Sequence, residues 1–292
     1  MSNHMRDLVA TATAWLVRTE APSCTLQQRR TFQKSAHRRW FAFVAAGAAC
    51  ICAAGWYAGT RLTWEDYSTH IGGKQTSPLA DGSSVTLNTD TDLRVRITAG
   101  RRDLALTRGE ALIKAAHDET RPMRLVVGAT VIRTSGANFD VRRRPSGQVD
   151  VLVSEGRVAT ETDESWLSLN HSARRLGIVT AGYMASIRPG AIEVSRLDTG
   201  ELARQTAWLR DVLDFRGETL AQAAEEFNRY NTRKIVIDDP KIATRRVGGV
   251  FLDTDPESFV AALALTMDIR ATRVEAGPGY GIIRLRSAQA RR

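Results

Sequence analysis

The sequence predicts a single-pass membrane protein in three parts: a short α-helical segment before the membrane, an all-β domain after it, and a small α+β domain at the C-terminus. Three observations carry this reading. A charge-free apolar run, Trp40–Gly59, follows a basic lead. Short period-two strands separated by turn residues then fill the stretch from Leu79 to Ile192. Near Gly200 the pattern changes to strands alternating with helices. The boundaries fall at 1–39, 40–59, 60–195 and 196–292.

Residues 1–39 suggest two short helices. Leu8, Ala12, Trp15 and Leu16 share one face at helical spacing. Pro22-Ser23 breaks the pattern, and Thr25 with Gln28 resembles a capping box opening a second helix. A piece this short buries little surface alone, so its apolar stripe needs a partner, either a second copy or another protein.

Trp40–Gly59 at about 1.5 Å per residue spans about 30 Å, the thickness of a bilayer's hydrocarbon core. Trp40 and Phe41 open the run, and Trp56 and Tyr57 close it, as an interfacial aromatic belt does. The formal net charge of the chain is +9, and its excess is placed where a membrane protein needs it. Arg6, Arg18, Arg29, Arg30, Lys34, Arg38 and Arg39 precede the run, against Asp7 and Glu20 alone, while Glu65 and Asp66 follow it. The positive-inside bias therefore puts residues 1–39 in the cytoplasm and residues 60–292 outside the inner membrane. A cleaved signal peptide or a buried core helix are the competing readings of the run. The 39-residue lead and the lack of a clear small-x-small cleavage site weigh against the first. The basic total brings no recognition helix or aromatic RNA platform with it, so direct nucleic-acid binding is not expected.

In the all-β part the alternation is explicit. Val85 and Leu87 follow the turn at Asp81-Gly82-Ser83; Leu93, Val95 and Ile97 precede Gly100; Leu104 and Leu106 precede Gly109. Leu125 and Val127 precede Gly128, Phe139 and Val141 precede Pro145-Ser146-Gly147, and Val149, Val151 and Val153 run into Glu155-Gly156. Such spacing predicts a sandwich, a barrel or a solenoid-like stack. The cysteines, Cys24, Cys50 and Cys52, all lie before this part, so it must be stable without a disulfide.

The C-terminal part reads as strand–helix–strand twice. Leu213 and Phe215 mark a strand. Thr219 with Gln222 caps a helix carrying Leu220, Ala223, Ala224 and Phe227 on one face. Lys234–Ile237 and Val247–Phe251 are strands, and Asp255 before Pro256 opens a helix lined by Phe259, Leu263 and Met267. Ile269–Val274 and Tyr280–Leu285 close the chain as a hairpin around Gly277-Pro278-Gly279.

No catalytic constellation is present in the sequence. His4, His37, His70, His117 and His171 have no ligand spacing to one another or to cysteine, and no G-x-S-x-G, P-loop or H-E-x-x-H motif occurs. No enzyme activity, metal or cofactor is expected.

Several ordered segments carry a resemblance. Leu79–Asn88, Arg108-Gly109-Glu110-Ala111, Arg121-Pro122-Met123, Gly136–Val141 and Ser154–Val158 resemble the FecR family, transmembrane regulators of extracytoplasmic-function (ECF) sigma factors. Asp214-Phe215, Glu226–Asn231 and Gly249-Val250-Phe251 are similar to that family's terminal domain, which resembles secretin/TonB short N-terminal domains. Ala14-Trp15-Leu16 is similar to the start of its cytoplasmic anti-sigma helices.

The resemblance implies a relay. The signalling domain of a TonB-dependent outer-membrane siderophore receptor contacts the C-terminal domain; periplasmic and intramembrane proteases act; the cytoplasmic segment, which holds or chaperones the sigma factor, changes state. It further implies sigma binding through Leu8, Ala12, Trp15 and Leu16, and receptor contact through Phe215, Phe227, Asn228, Tyr230 and Phe251; local core is the opposing reading of Trp15 and Phe227, and the favoured one for Phe227. Many members have Gly-Thr where this chain has Gly136-Ala137. An N–O acyl shift needs a hydroxyl or thiol on the second residue, so no self-cleavage is expected there. The alternative function is a membrane-anchored periplasmic scaffold or envelope-assembly protein with no transcriptional role.

Overall fold

The computed structural model describes residues 63–162, 174–189, 191–277 and 279–288. The helices expected within 1–39, the span at 40–59 and Pro278 lie outside these residues. Among the described residues no helix is long and apolar enough to cross a membrane.

Twelve strands build the first part: β1 (Glu65–Ser68), β2 (Gln75–Pro78), β3 (Ser84–Leu87), β4 (Asp92–Ile97), β5 (Arg102–Lys114), β6 (Met123–Val127), β7 (Thr130–Thr134), β8 (Ala137–Arg143), β9 (Val149–Thr162), β10 (Arg174–Thr180), β11 (Tyr183–Arg188) and β12 (Ala191–Arg196). They form two layers that share their longest strands. One layer runs β1-β4-β5-β6-β7-β9-β10 and the other β2-β3-β5-β8-β9-β11-β12. The first half of β5 pairs β4 and β6, and its second half pairs β3 and β8. β9 crosses in the same way, from β8 and β11 to β7 and β10. Of the alternatives open to the sequence, this is a two-layer sandwich with corner-turning strands.

Sequence reading ended a strand at Gly109 and another at Glu155-Gly156. Both strands instead continue through those glycines. Each glycine supplies the bend, with φ of 87° at Gly109 and 78° at Gly156. Neither leaves room for a side chain: a Cβ on Gly109 would lie 2.2 Å from Thr91 Oγ1, and one on Gly156 would lie 2.8 Å from the Gly136 carbonyl. The alternating residues face inward as expected. Val85, Leu104, Leu125, Val141, Val151, Val153 and Val158 are fully buried in one cluster with Phe139.

The Asp81-Gly82-Ser83 turn is tied into this core from below. Asp81 Oδ1 accepts the Ser83 amide and Oδ2 the Ser83 hydroxyl, while Ser83 Oγ accepts the Ala116 amide. Arg102, whose side chain is fully buried, donates to Asp81 and to the carbonyls of Ala116, Asp118 and Arg121. A buried guanidinium is tolerable because its donors are used in this way.

The second part contains α1 (Thr199–Gln205), a 3-10 turn (Ala207–Arg210), β13 (Val212–Thr219), α2 (Leu220–Tyr230), β14 (Arg233–Ile237), α3 (Pro240–Ala243), β15 (Arg246–Leu252), α4 (Pro256–Met267), β16 (Ile269–Gly277) and β17 (Tyr280–Ser287). β13 and β15 pair antiparallel; β14, β17 and β16 form a second sheet in which β14 and β17 run parallel. The two expected strand–helix–strand units are present as β13–α2–β14 and β15–α4–β16. The Thr219/Gln222 capping box closes as read, and Asp255 accepts the Ser258 amide with Pro256 at the first helical position. Phe215, Phe227, Phe251 and Phe259 meet at the centre, with Phe227 and Phe259 stacked at 4.5 Å. Both parts belong to one compact unit that begins at Arg61.

Candidate functional site: a buried polar junction

The outer face of the second sandwich layer carries a polar cross-strand row beside a mostly apolar one that holds Asp140. Register places Glu110 opposite Arg142, Arg142 opposite Asp150, and Asp150 opposite Ser186. The neighbouring row is Leu112, Asp140, Leu152 and Met184. Successive residues of a strand face opposite sides, so the even-numbered residues of β8 turn away from the core that Phe139 and Val141 enter.

Helix α2 covers this face. Glu226, Arg229 and Tyr230 are three and four residues apart, so they share a side of the helix. Arg229 donates to Glu110 Oε2 at 2.7 Å from one nitrogen and to Glu226 Oε2 at 3.0 Å from another. Arg142 donates to the other Glu226 oxygen at 2.6 Å. Asn88, at the end of the motif that begins at Leu79, donates to Glu110 and to the Tyr230 hydroxyl, each at 2.7 Å. Leu112 leaves the sandwich core and packs into the aromatic cluster of the C-terminal module.

A second clasp lies alongside. Lys74 donates to the Trp208 carbonyl, to Asp211 and to the buried Asp253, at 2.6 to 2.7 Å. Its ammonium also sits over the Tyr230 ring, 5.4 Å from the centroid. Thr89 Oγ1 accepts the Gly72 amide and donates to the Arg229 carbonyl, the last turn of α2. Asn231 then ties α2 to the end of β15 by donating to the carbonyls of Phe227 and Asp253.

Burial and charge pull against each other here. Burial works to raise the Glu226 carboxyl, but Arg142 and Arg229 outweigh it and hold it down at about 2. Burial pushes the Tyr230 hydroxyl above the ordinary phenol range, with the Glu110 carboxylate adding to the effect. Asp140 is raised well above the carboxylate range, first by burial and then by Glu110, against the opposing pull of Arg229 and Arg142.

A cleft of about 200 Å³ opens beside the network, lined by Glu110, Arg142, Arg204, Trp208, Phe215 and Arg229 among others. The arrangement holds two parts of the chain in a fixed relation through charged hydrogen bonds. Among the described residues no group of three or more His, Cys, Asp or Glu is placed to hold a metal ion.

The structure separates the residues that sequence reading grouped for receptor contact. Phe215 and Phe227 are buried in the module's own core, and Phe251 packs partly against it. Asn228 bridges α2 to β14, accepting the Ile235 amide at 2.6 Å and donating to its carbonyl at 2.8 Å. Tyr230 belongs to the junction. Of these five side chains, Phe215, Phe227 and Tyr230 are buried in the folded chain, while Asn228 and Phe251 are half-buried. Leu265 on α4, Val250 and Leu252 on β15, Val274 on β16 and Tyr280 on β17 are the most exposed of the module's large apolar side chains among the described residues. Leu8, Ala12, Trp15 and Leu16 lie outside the described residues.

Sequence reading did not single out Glu110, Asp140, Arg142 or Lys74 as a group. The available signal was three polar residues, Glu226, Arg229 and Tyr230, at three- and four-residue spacing on one side of an amphipathic helix.

Residues 65–159 match the family model described as FecR protein. No curated protein matches the sequence. Two crystal structures of a protein from Parabacteroides distasonis ATCC 8503, described as a candidate anti-sigma factor, share the fold. They align with TM-scores of 0.60 and 0.59, at 21% and 20% identity, covering 76% of this chain and 99% of theirs. The segments Leu79–Asn88 and Arg108–Ala111 that resemble FecR lie inside the matched span and supply Asn88 and Glu110 to the junction. Residues 65–159 of this chain are thus similar to the FecR protein family, within a fold shared with those two structures.

Proposed function

We propose that the chain is an anti-sigma regulator that relays a signal across the inner membrane to an ECF sigma factor. The observation that carries the reading is the FecR domain at 65–159, set in a fold shared over nearly the whole length of a candidate anti-sigma factor. Residues 1–39 hold the sigma factor through Leu8, Ala12, Trp15 and Leu16, in the helix-in-groove mode. Residues 40–59 cross the membrane, and the sandwich and module stand in the periplasm. The signalling domain of a TonB-dependent siderophore receptor docks on the module, and regulated proteolysis passes the signal inward, controlling iron uptake.

The described geometry supports the periplasmic half of this scheme. β15 is paired on one side only, by β13, and exposes Val250 and Leu252 along the open side of the module. Such an edge accepts a strand from a partner. The Lys74 and Arg229 clasps join that module firmly to the sandwich, so a load on one is felt by the other.

The test is genetic. Deleting the gene should change transcription of one coherent set of promoters, including that of a TonB-dependent receptor, and re-expression of the full chain should restore it. An unchanged transcript profile under iron limitation and iron excess would favour the scaffold reading.

A further inference from the structure

The outer face of the second sandwich layer holds more acid than base if every carboxyl there is ionised. Facing Asp140 are Glu110 from β5, Arg142 and Arg144 from β8 and the residue following it, and Asp150 from β9. From the covering module come Glu226, Arg229 and the neutral Tyr230 on α2, and Gln205 at the end of α1. The cations Arg142, Arg144 and Arg229 match the anions Glu110, Asp150 and Glu226. Ion pairs join them: Arg229 with Glu110 and Glu226, Arg142 with Glu226, and Arg144 with Asp150. Asp140 is the carboxyl left over.

Its geometry agrees with the count. Asp140 is 93% buried, and its Oδ2 finds no donor among the described groups. Register makes it the diagonal neighbour of Glu110 across β5 and β8, since Leu112 faces Asp140 and Glu110 faces Arg142. Diagonal neighbours are within reach of each other's side chains. Two carboxyls within reach of each other favour sharing one proton, because Oδ2 of an ionised Asp140 would have no donor among the described groups.

We propose that this junction is a proton-operated latch: Asp140 carries a proton that Oδ2 donates to the Glu110 carboxylate, and loss of that proton loosens α2 from the sandwich. Protonated, Asp140 turns its orphaned oxygen into a donor and leaves the cluster electrically balanced. Ionised, it adds an unpaired negative charge against Glu110 and competes with it for Arg229. A narrow cavity lined by Asp140, Glu110, Arg142 and Gln205 gives the proton its path to solvent.

The sign follows from linkage. The folded state binds this proton more tightly than the unfolded chain does, so the latch contributes fully at and below the ordinary carboxylate range. Its contribution falls as pH rises from there, and levels off above the raised value of Asp140 itself. Within that window one proton separates closed from open, so the opening equilibrium rises by up to about tenfold per pH unit. The idea stands independently of what residues 1–39 bind.

The experiment uses the full chain in detergent, wild type beside Asp140→Asn, which mimics the protonated acid. Infrared spectra at the lower end of the window should contain a carboxylic-acid carbonyl band in the wild type that Asp140→Asn removes. Hydrogen exchange of α2 amides, corrected for the intrinsic effect of pH, should quicken with rising pH in the wild type and stay level in the variant. If Asp140→Asn fails to fold, Glu110→Gln serves, because it removes the neighbouring carboxylate with which Asp140 shares its proton and frees Arg229 from one of its two anionic partners. The band should then vanish and the exchange profile flatten. Parallel pH profiles in wild type and folded variant, or a band untouched by either substitution, would overturn the proposal.

Discussion

Replacing Arg229 by methionine tests whether the junction is held by charge or merely covered by it. The Arg229 side chain is 19% exposed and its partners Glu110 and Glu226 are 7% and 23% exposed. Methionine keeps most of the aliphatic stem but removes both charged hydrogen bonds. Breaking a buried pair by deleting one partner costs about 3–5 kcal/mol, because the surviving charge stays buried. Glu226 retains Arg142, and Glu110 retains the Asn88 amide, so the lower end applies, about 3 kcal/mol. With a urea dependence of about 2–3 kcal/mol per molar, the unfolding midpoint should fall by about 1–1.5 M. Adding Glu110→Gln removes the stranded charge, so the double variant should recover about 1–3 kcal/mol relative to the sum of the singles. Strict additivity, or a single-variant loss below about 0.5 kcal/mol, would refute the view that Arg229 and Glu110 hold the two parts together.

Further outcomes follow from particular residues. Gly109→Ala should cost about 3 kcal/mol or more and lower expression, because a left-handed φ and an approach of 2.2 Å to Thr91 Oγ1 are both imposed at once; a normal melting curve would contradict the corner assigned to Gly109. Phe227→Ala should lose about 3–5 kcal/mol by emptying the aromatic cluster, whereas Val250→Asp, at a residue 62% exposed, should change stability by less than about 0.5 kcal/mol yet, under the proposed docking on β15, abolish the response to a receptor. Acid titration should strip the Glu226 contribution: it is complete above the ordinary glutamate range and lost as pH falls toward about 2, and Glu226→Gln should remove that part of the acid transition. Purified chain should also stay intact at Gly136-Ala137 on prolonged incubation, read as one band by mass spectrometry.

The parts of the fold that were legible in the sequence are those set by neighbours along the chain. Thr219 with Gln222, and Asp255 with Pro256, announce their helices because a cap is a three-residue device. Val85 and Leu87, or Val149, Val151 and Val153, declare their inward side by period two alone. Gly109 and Gly156 misled because a glycine with positive φ ends most strands, whereas here each bends a strand that goes on to pair in the other layer. β7 was missed because Thr130–Thr134 is short and sits between Gly128 and Gly136, which read as loop. Its stability comes from pairing on both sides, with β6 and β9. The receptor-contact residues show the same limit: aromatic residues in a recognisable segment signal importance, but Phe227 exercises it from inside the core.

The junction was the least legible feature, for a physical reason. Asn88 and Tyr230 are 142 positions apart, and Arg229 and Glu110 are 119 apart. No periodicity links such residues. Each segment shows only half of a pairing, and the half alone reads as a solvated surface charge. What the sequence does offer is a polar stripe on α2 facing a polar row on β5 and β8, which becomes a site only once the topology brings them together.

The most direct test of the account is co-purification of tagged full-length chain from native membranes, wild type beside Trp15→Ala, read by mass spectrometry. The account predicts one ECF sigma factor with the wild type and its loss with Trp15→Ala, at equal amounts of folded protein. Recovery of no sigma factor with either, under conditions where the receptor still binds, would contradict the anti-sigma reading and leave a periplasmic scaffold built on a FecR domain.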